Sequence, residues 1–449
     1  MYAIHLKSQR VGIAGAVLAL ILALASPVGA ALTLEQAIHI AQSNDPWQRG
    51  SLAREEALVA QSLAAGSLPD PMVSLGFANL PTDTFEFDQE AMTQFKVGVS
   101  QVFPRGESRE LLEKQYRLRG EEHPHQREDR LAKVAANVTG LWLEAYQSRA
   151  AIDLIERDRS LFEQLVEVAE TNYTSAIGRT RQQDLIRAQL ELTRLDDRLA
   201  TLRERLDISE ARLAEWLLVP DASGAGYSHN VSMALQQDSP PVVRARRPEL
   251  FHSPEGSSTD ELTRLLLQHP AVLAVDRRVA ATAAGIEIAE QNYRPQWRLD
   301  ASYGYRDDDP MAGDRADFFS VGVAFDLPLW TERRQDQGVR SASAATEAIR
   351  TERTLLLRHL YSRFEAGTAR LARLDERHRL YKDRLLREMS AQAEASLAAY
   401  TNDDADFAEV VRARIAELNA RIEMLEIEVE RLATINQLNY LLVGEDIQS

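Results

Sequence analysis

The sequence predicts a mainly α-helical protein with a membrane β-barrel portion, built from a duplicated helix-strand-strand-helix unit with long coiled-coil hairpins and four strands per chain. Three observations predict it. Met92–Pro104 (MTQFKVGVSQVFP) and Ala316–Pro328 (ADFFSVGVAFDLP) each alternate apolar with small or polar residues, end in a proline, and precede a very long helix-forming run. Landmarks recur at a nearly constant offset of 224 positions across the two halves. Leucines at intervals of seven mark a coiled-coil seam in one of the long runs.

The bounds come first. The chain has 449 residues, 27% charged and 45% hydrophobic, ordinary for a folded protein and enough for more than one structural unit. A formal net charge of -16 argues against nucleic acid as a partner, because phosphate binding needs clustered Lys and Arg. There is no cysteine, which removes disulfides, thiolate metal sites and a lipidated cysteine. Lys7 and Arg10, the uncharged run Val11–Leu24 and the small residues up to Ala31 read as a cleaved secretory signal over 1–30, the mature chain beginning near Ala31; a membrane helix is the alternative, though spanning usually needs about 20 apolar residues.

A first structural repeat is expected over 31–220. Two helical stretches come first, the second closed by Leu68-Pro69-Asp70-Pro71, since proline lacks the amide donor and restricts its predecessor. A strand at about 72–80 puts Val73, Leu75 and Phe77 on one side; the next, at about 93–103, does the same with Phe95, Val97 and Val99. Between them Asp83, Glu86, Asp88 and Glu90 read as a solvated loop, with a cation site as the alternative. Arg105–Asn172 is helix-forming apart from His123-Pro124-His125, where a kink stands against a two-histidine metal site. After a pause at Thr174–Thr180, Leu185, Leu192, Leu199, Leu206 and Leu213, with Ala188, Leu195, Leu202 and Trp216 three positions on, form a seam that only Ser209 interrupts.

Residues 221–258, with scattered Gly and Pro, read as an irregular connector. A second repeat, 259–449, then restarts the plan: Pro46, Pro71, Val97, Gly98, Val99 and Pro104 reappear as Pro270, Pro295, Val321, Gly322, Val323 and Pro328. Its strands, about 297–306 and 318–327, put Trp297, Leu299 and Tyr303, then Phe319, Val321, Val323 and Phe325, on one face. Its closing helix carries Ala408, Ile415, Ile422 and Val429 with Val411, Leu418, Leu425 and Leu432.

Strands of about 8 to 10 residues with one apolar and one polar face suit either a membrane barrel or a small soluble sheet packed on helices. Four strands cannot close a barrel; three copies would supply twelve. A helical run of about 65 residues would reach on the order of 100 Å, a tube continuous with the pore.

The signal sequence, the doubled plan, VGVSQVFP with VGVAFDLP, the tip from Tyr173 through Gly178 to Asp184-Leu185-Ile186-Arg187-Ala188-Gln189, and the terminal NYLLVG resemble the outer-membrane efflux channel (TolC-type) family over nearly the whole mature chain. The resemblance implies a homotrimer with a twelve-stranded barrel in outer-membrane lipid and a periplasmic helical tube. It also implies docking on a periplasmic adaptor protein and an inner-membrane efflux pump. SLPDPMVSLGFANLP with Glu90–Gln94 is more similar to members serving heavy-metal efflux pumps. The chain departs from many members in lacking the acylated cysteine, and its second tip lacks the usual glycine after Tyr400.

No nucleophile set, phosphate loop, cofactor motif or metal-ligand spacing is present, so passive conduction rather than an enzyme activity is expected. Asp403, Asp404 and Asp406 are candidates for a pore constriction, since threefold symmetry would make each a ring of carboxylates; a solvated turn is the alternative. Gly178, Arg179, Arg181 and Asp184, at the first tip, are candidates for adaptor contact, with salt bridges that hold a closed state as the alternative for Gly178, Arg179 and Arg181. The apolar strand residues Val73, Leu75, Phe77, Phe95, Val97, Val99, Trp297, Leu299, Tyr303, Phe319, Val321, Val323 and Phe325 are candidates for contact with lipid. A secreted or periplasmic structural coiled coil, or an adaptor without a pore, is the other function class.

Overall fold

A computed structural model describes residues 32–174, 182–220, 227–228, 240–251, 257–308, 313–402 and 406–444. The expected signal segment lies outside them.

The chain opens with α1 (Leu34–Ser43) and α2 (Pro46–Gly66). Thr33 caps α1 in a capping box, its hydroxyl accepting from Gln36 N–H while the Gln36 side chain accepts from Thr33 N–H. Asp45 caps α2 and Pro46 takes its first position, where no amide donor is needed. Strands β1 (Met72–Ala78) and β2 (Gln94–Phe103) follow, then α3 (Ser108–Gly120) and α4 (Glu122–Thr174). The expected break falls at Glu121, and Pro124 sits in the first turn of α4, where its missing donor is tolerated. Helix α5 (Gln182–Leu217) returns, and β3 (Val219–Pro220) pairs with β4 (Tyr227–Ser228).

The second half begins with the short α6 (Pro248–Phe251) and α7 (Ser257–Leu267), then α8 (Pro270–Glu290), capped by His269 as α2 is by Asp45. Strands β5 (Trp297–Tyr305) and β6 (Phe318–Phe325) lead to α9 (Gln335–Leu380), α10 (Leu386–Thr401) and α11 (Phe407–Leu441). A π-helical turn, Tyr381–Leu385, joins α9 to α10. The sequence gives no sign of this widening within the long helix-forming run.

The four long strands form one antiparallel sheet in the order β1-β2-β5-β6. The helices beneath stand in the same order, α2 against α3, α3 against α8 and α8 against α9, because each is joined through a short link to the strand above it. Below them α4 packs on α5 and on α11, and α11 on α9 and α10.

The core is a set of seams rather than one globule. Near the tips Ile155, Phe162 and Leu165 of α4, Leu195 and Leu199 of α5, and Val410, Val411 and Leu418 of α11 form one apolar cluster. A second, higher cluster joins Ala37 of α1, Trp142 and Val138 of α4, and Leu213 of α5. A third joins Leu265 and Leu266 of α7 to Leu360 and Phe364 of α9 and Leu438 of α11. The predicted heptad positions occupy these seams, and the interrupting Ser209 is buried with its hydroxyl donating to Arg205 O, 2.8 Å away.

Candidate functional site

The sheet has two unlike faces. Register pairs Val73 with Val99, Leu75 with Val97 and Phe77 with Phe95; then Val97 with Tyr303 and Phe103 with Trp297; then Leu299 with Val323 and Tyr303 with Phe319. Because side chains alternate along a strand, every candidate apolar residue falls on one face. That face is bare: Leu75 is 68% exposed, Phe319 72% and Val321 61%, while Phe95 is half-buried beside Phe77. None of the described helices covers it.

Its residues are zoned. Phe103, Trp297 and Phe325 make an aromatic row at the helix end, with the Trp297 and Phe325 rings 4.7 Å apart. Val73, Val99, Ala301 and Val321 form an aliphatic middle. Phe77, Phe95 and Tyr305 make an aromatic row at the far end, where Phe87 of the acidic loop stacks on Tyr305 at 6.2 Å. Gln101, Leu299 and Val323 lie between that middle and the helix end, and Leu75, Val97, Tyr303 and Phe319 between it and the far end, so the face is mostly aliphatic at its centre and aromatic toward both ends, as in barrel walls that face lipid.

The opposite face is mostly small and polar: Ser74, Gly98, Ser302 and Ser320 share one row, and Gly76, Lys96 and Gly304 another, which ends on Phe318. At the far end Asp317 holds the rim together, accepting from the Tyr303 hydroxyl and from Arg306 N–H at 2.9 Å, and these bonds hold its carboxyl below the usual range.

Where sheet meets helices, Arg105 of the first half reaches Asp326 of the second and donates to Arg294 O at 2.7 Å. Gln296 N–H donates to Asp326 at 2.7 Å, and with the Arg105 guanidinium it keeps that carboxyl low. Further down, His269 is fully buried. Its Nδ1 accepts from Ala271 N–H at 3.2 Å, so Nε2 carries the proton and donates to Tyr440 O, also 3.2 Å away. Burial pushes its pKa down and that of Tyr440 up, the Tyr440 hydroxyl donating to Asp129 at 2.8 Å. Nearer the tips Glu417 is buried between Arg414 and Arg421, and Arg421 also reaches Asp158 of α4 at 3.5 Å.

Of the tip candidates, Gly178, Arg179, Arg181, Asp403 and Asp404 lie outside the described residues; Asp184 falls in the first turn of α5, and nothing is described of its side chain. Asp406 is described: it is exposed at the N-cap of α11, its carboxylate makes no capping bond, and its carbonyl accepts from Glu409 N–H at 2.9 Å. Sequence reasoning missed the junction pair and the buried histidine, whose one local sign is its place before Pro270. Among the described residues no group of acidic or histidine side chains could hold a metal ion, and no helix is long and apolar enough to cross a membrane.

Solved structures resemble the chain over most of its length, three of them as follows. The outer-membrane channel OprN matches with a TM-score of 0.72 at 16% identity, covering 92% of this chain and 90% of that one. The outer membrane protein VceC from Vibrio cholerae matches with 0.71 at 15%, covering 92% and 96%. CusC, solved in connection with transmembrane channel formation, matches with 0.71 at 15%, covering 91% and 92%. The chain has the fold of an outer-membrane channel. No family model matches the sequence, and no curated protein does.

Proposed function

We propose that the chain is one subunit of an outer-membrane efflux duct, a homotrimer whose twelve-stranded barrel sits in lipid and whose helices form a periplasmic tube. The carrying observation is the uncovered, zoned apolar face of a four-stranded sheet with both outer edges, β1 and β6, unpaired. An apolar sheet face this bare is unstable in water, and an open edge invites another strand. Strands β1 and β6 run in opposite senses, so β6 of one copy can pair with β1 of the next, and three copies give an even, edge-free ring.

The helices carry matching edges. Leu52, Val59 and Leu63 lie exposed on one side of α2, and Ala344, Ala348 and Leu355 on the outer side of α9. One small and one bulky stripe, on elements at opposite edges of the same row, suit a contact between copies. Helix α4, with 53 residues, would then extend about 80 Å into the periplasm.

As an exit duct the protein forms and breaks no bond; an inner-membrane pump and a periplasmic adaptor deliver the substrate, and Gly178, Arg179, Arg181 and Asp184 at the first tip meet the adaptor. The resemblance of the segment around Pro69–Pro81 to heavy-metal members supports metal cations as cargo. The doubled order of elements supports duplication of one unit. Planar-bilayer recording tests the pore: the detergent-extracted oligomer should give stable unitary currents, and a soluble monomer without currents ends the proposal. Deleting the gene and comparing growth on copper, silver, zinc and cobalt with growth on dyes and antibiotics separates metal from organic cargo.

A further inference from the structure

The two strand-to-helix links differ. From β2 to α3 the chain spends only residues 104–107, but from β6 to α9 it spends 326–334, Asp-Leu-Pro-Leu-Trp-Thr-Glu-Arg-Arg. The longer link contributes nothing to the core: Leu327 is 61% exposed, Leu329 67% and Trp330 85%. Its backbone is nevertheless ordered, with Leu329 N–H donating to Leu327 O at 2.9 Å, and Arg334 and Asp336 N–H both donating to Thr331 O at 3.1 and 3.0 Å.

Position and chemistry say what covers it. Pairing continues one residue past β6, with Asp326 N–H donating to Gln296 O, so Leu327 falls on the same register as Phe319, Val321, Val323 and Phe325. It therefore prolongs the apolar face beyond the aromatic row rather than the strand edge that a neighbouring copy would meet. Arg333 and Arg334 follow, both exposed and neither in an ion pair among the described residues, while Asp326 is taken by Arg105. Glu332 is the segment's other carboxylate. Leucine and tryptophan followed by two free cations fit a bilayer interface, where the indole sits at head-group level and guanidinium groups meet phosphates.

We infer that Leu327–Arg334 is an interfacial anchor: Leu327, Leu329 and Trp330 enter the periplasmic leaflet of the outer membrane, and Arg333 and Arg334 lie against phospholipid head-group phosphates. The inference rests on the barrel reading and adds to it a second grip on lipid, on the side where the helices leave the membrane.

The absence of cysteine makes the test direct, since one introduced thiol is unique. Nitroxide labels on Leu329→Cys, Trp330→Cys, Val321→Cys and Gln337→Cys are compared in the oligomer reconstituted in phosphatidylethanolamine and phosphatidylglycerol vesicles. The label at 321 should collide with oxygen far more than with a water-soluble nickel complex, those at 329 and 330 should do so at shallower depth, and the label at 337 should favour nickel. Nickel access at 329 and 330 equal to that at 337, or spin coupling there between copies, overturns the anchor while the 321 label upholds the barrel. Nickel access at 321 overturns both. Replacing Arg333→Gln and Arg334→Gln together should raise nickel collisions at 330; no change removes the arginines from the anchor.

Discussion

The guanidinium of Arg105 and the carboxylate of Asp326, 221 positions apart, bind the two halves of the chain at the level where strands become helices. Asp326 also accepts from Gln296 N–H, so one carboxylate fixes the start of β5, the end of β6 and the exit of β2. Its pKa is held below the ordinary carboxylate value, so it contributes stability that is fully present above about pH 3.9 and is lost as pH falls through the lowered value. Asp326→Asn should lower the temperature at which the oligomer dissociates on a gel at pH 7 and flatten its dependence on pH below 4. An unchanged acid limb would assign the acid sensitivity to other groups.

Gly106, next to Arg105, has φ +46°, a left-handed conformation, and a Cβ there would run into Gln291 Oε1 and the Arg294 side chain. Gly106→Ala should therefore cost about 1–3 kcal/mol, seen as a lower unfolding midpoint in urea. Gly322→Ala is the control: nothing lies within 4 Å of a Cβ there, and its midpoint should shift far less.

His269 gives a second handle, on the helices. It is buried neutral, with Nδ1 accepting from Ala271 N–H, and both burial and that bond oppose a second proton; Asp129 and the Tyr440 carbonyl favour one, Lys133 opposes it, and burial prevails. A histidine pKa depressed by folding adds stability that is complete above about pH 6.5 and declines as pH falls toward the lowered value. The urea midpoint should drop between about pH 6.5 and 5, and His269→Asn, which can still cap α8, should make that drop shallower. A wild-type midpoint flat over this range would mean that the buried ring does not control it.

Strand alternation and heptad seams are legible because each is a local pattern with a fixed period: Phe319-x-Val321-x-Val323-x-Phe325 reads as one face, and Leu199 and Leu213 read as one seam. What brings Val97 opposite Tyr303 is not local. The order β1-β2-β5-β6 depends on how the halves dock, and Arg105, Asp326 and His269 are isolated polar residues with no spacing to announce them. The π turn at Tyr381 is illegible for a related reason, since one extra residue in a long helix leaves the heptad on each side intact.

The two faces of the sheet should respond differently to charge. Val321→Arg, in the aliphatic middle of the bare face, should cost about 2–4 kcal/mol of insertion, measured by folding into lipid vesicles from urea. Ser320→Arg, one residue away on the polar face, should leave insertion intact and lower unitary conductance. Equal insertion penalties at 320 and 321 would mean that the sheet is not a barrel wall.

At the opposite end, Asp406 sits before α11 with an exposed carboxylate that makes no capping bond, and Asp403 and Asp404 stand within three positions of it in the sequence. In the homotrimer proposed above each would become three carboxylates around one axis, and like charges gathered there would both draw cations and resist tight closure. Asp403→Ala with Asp406→Ala removes six of the nine charges such a ring would carry. The pore should then lose block by divalent and trivalent cations applied from the periplasmic side, while the oligomer's thermal stability stays unchanged because Asp406 makes no capping bond to lose. Cation block that survives the double substitution would place the constriction elsewhere along the helices and return these aspartates to an ordinary solvated turn.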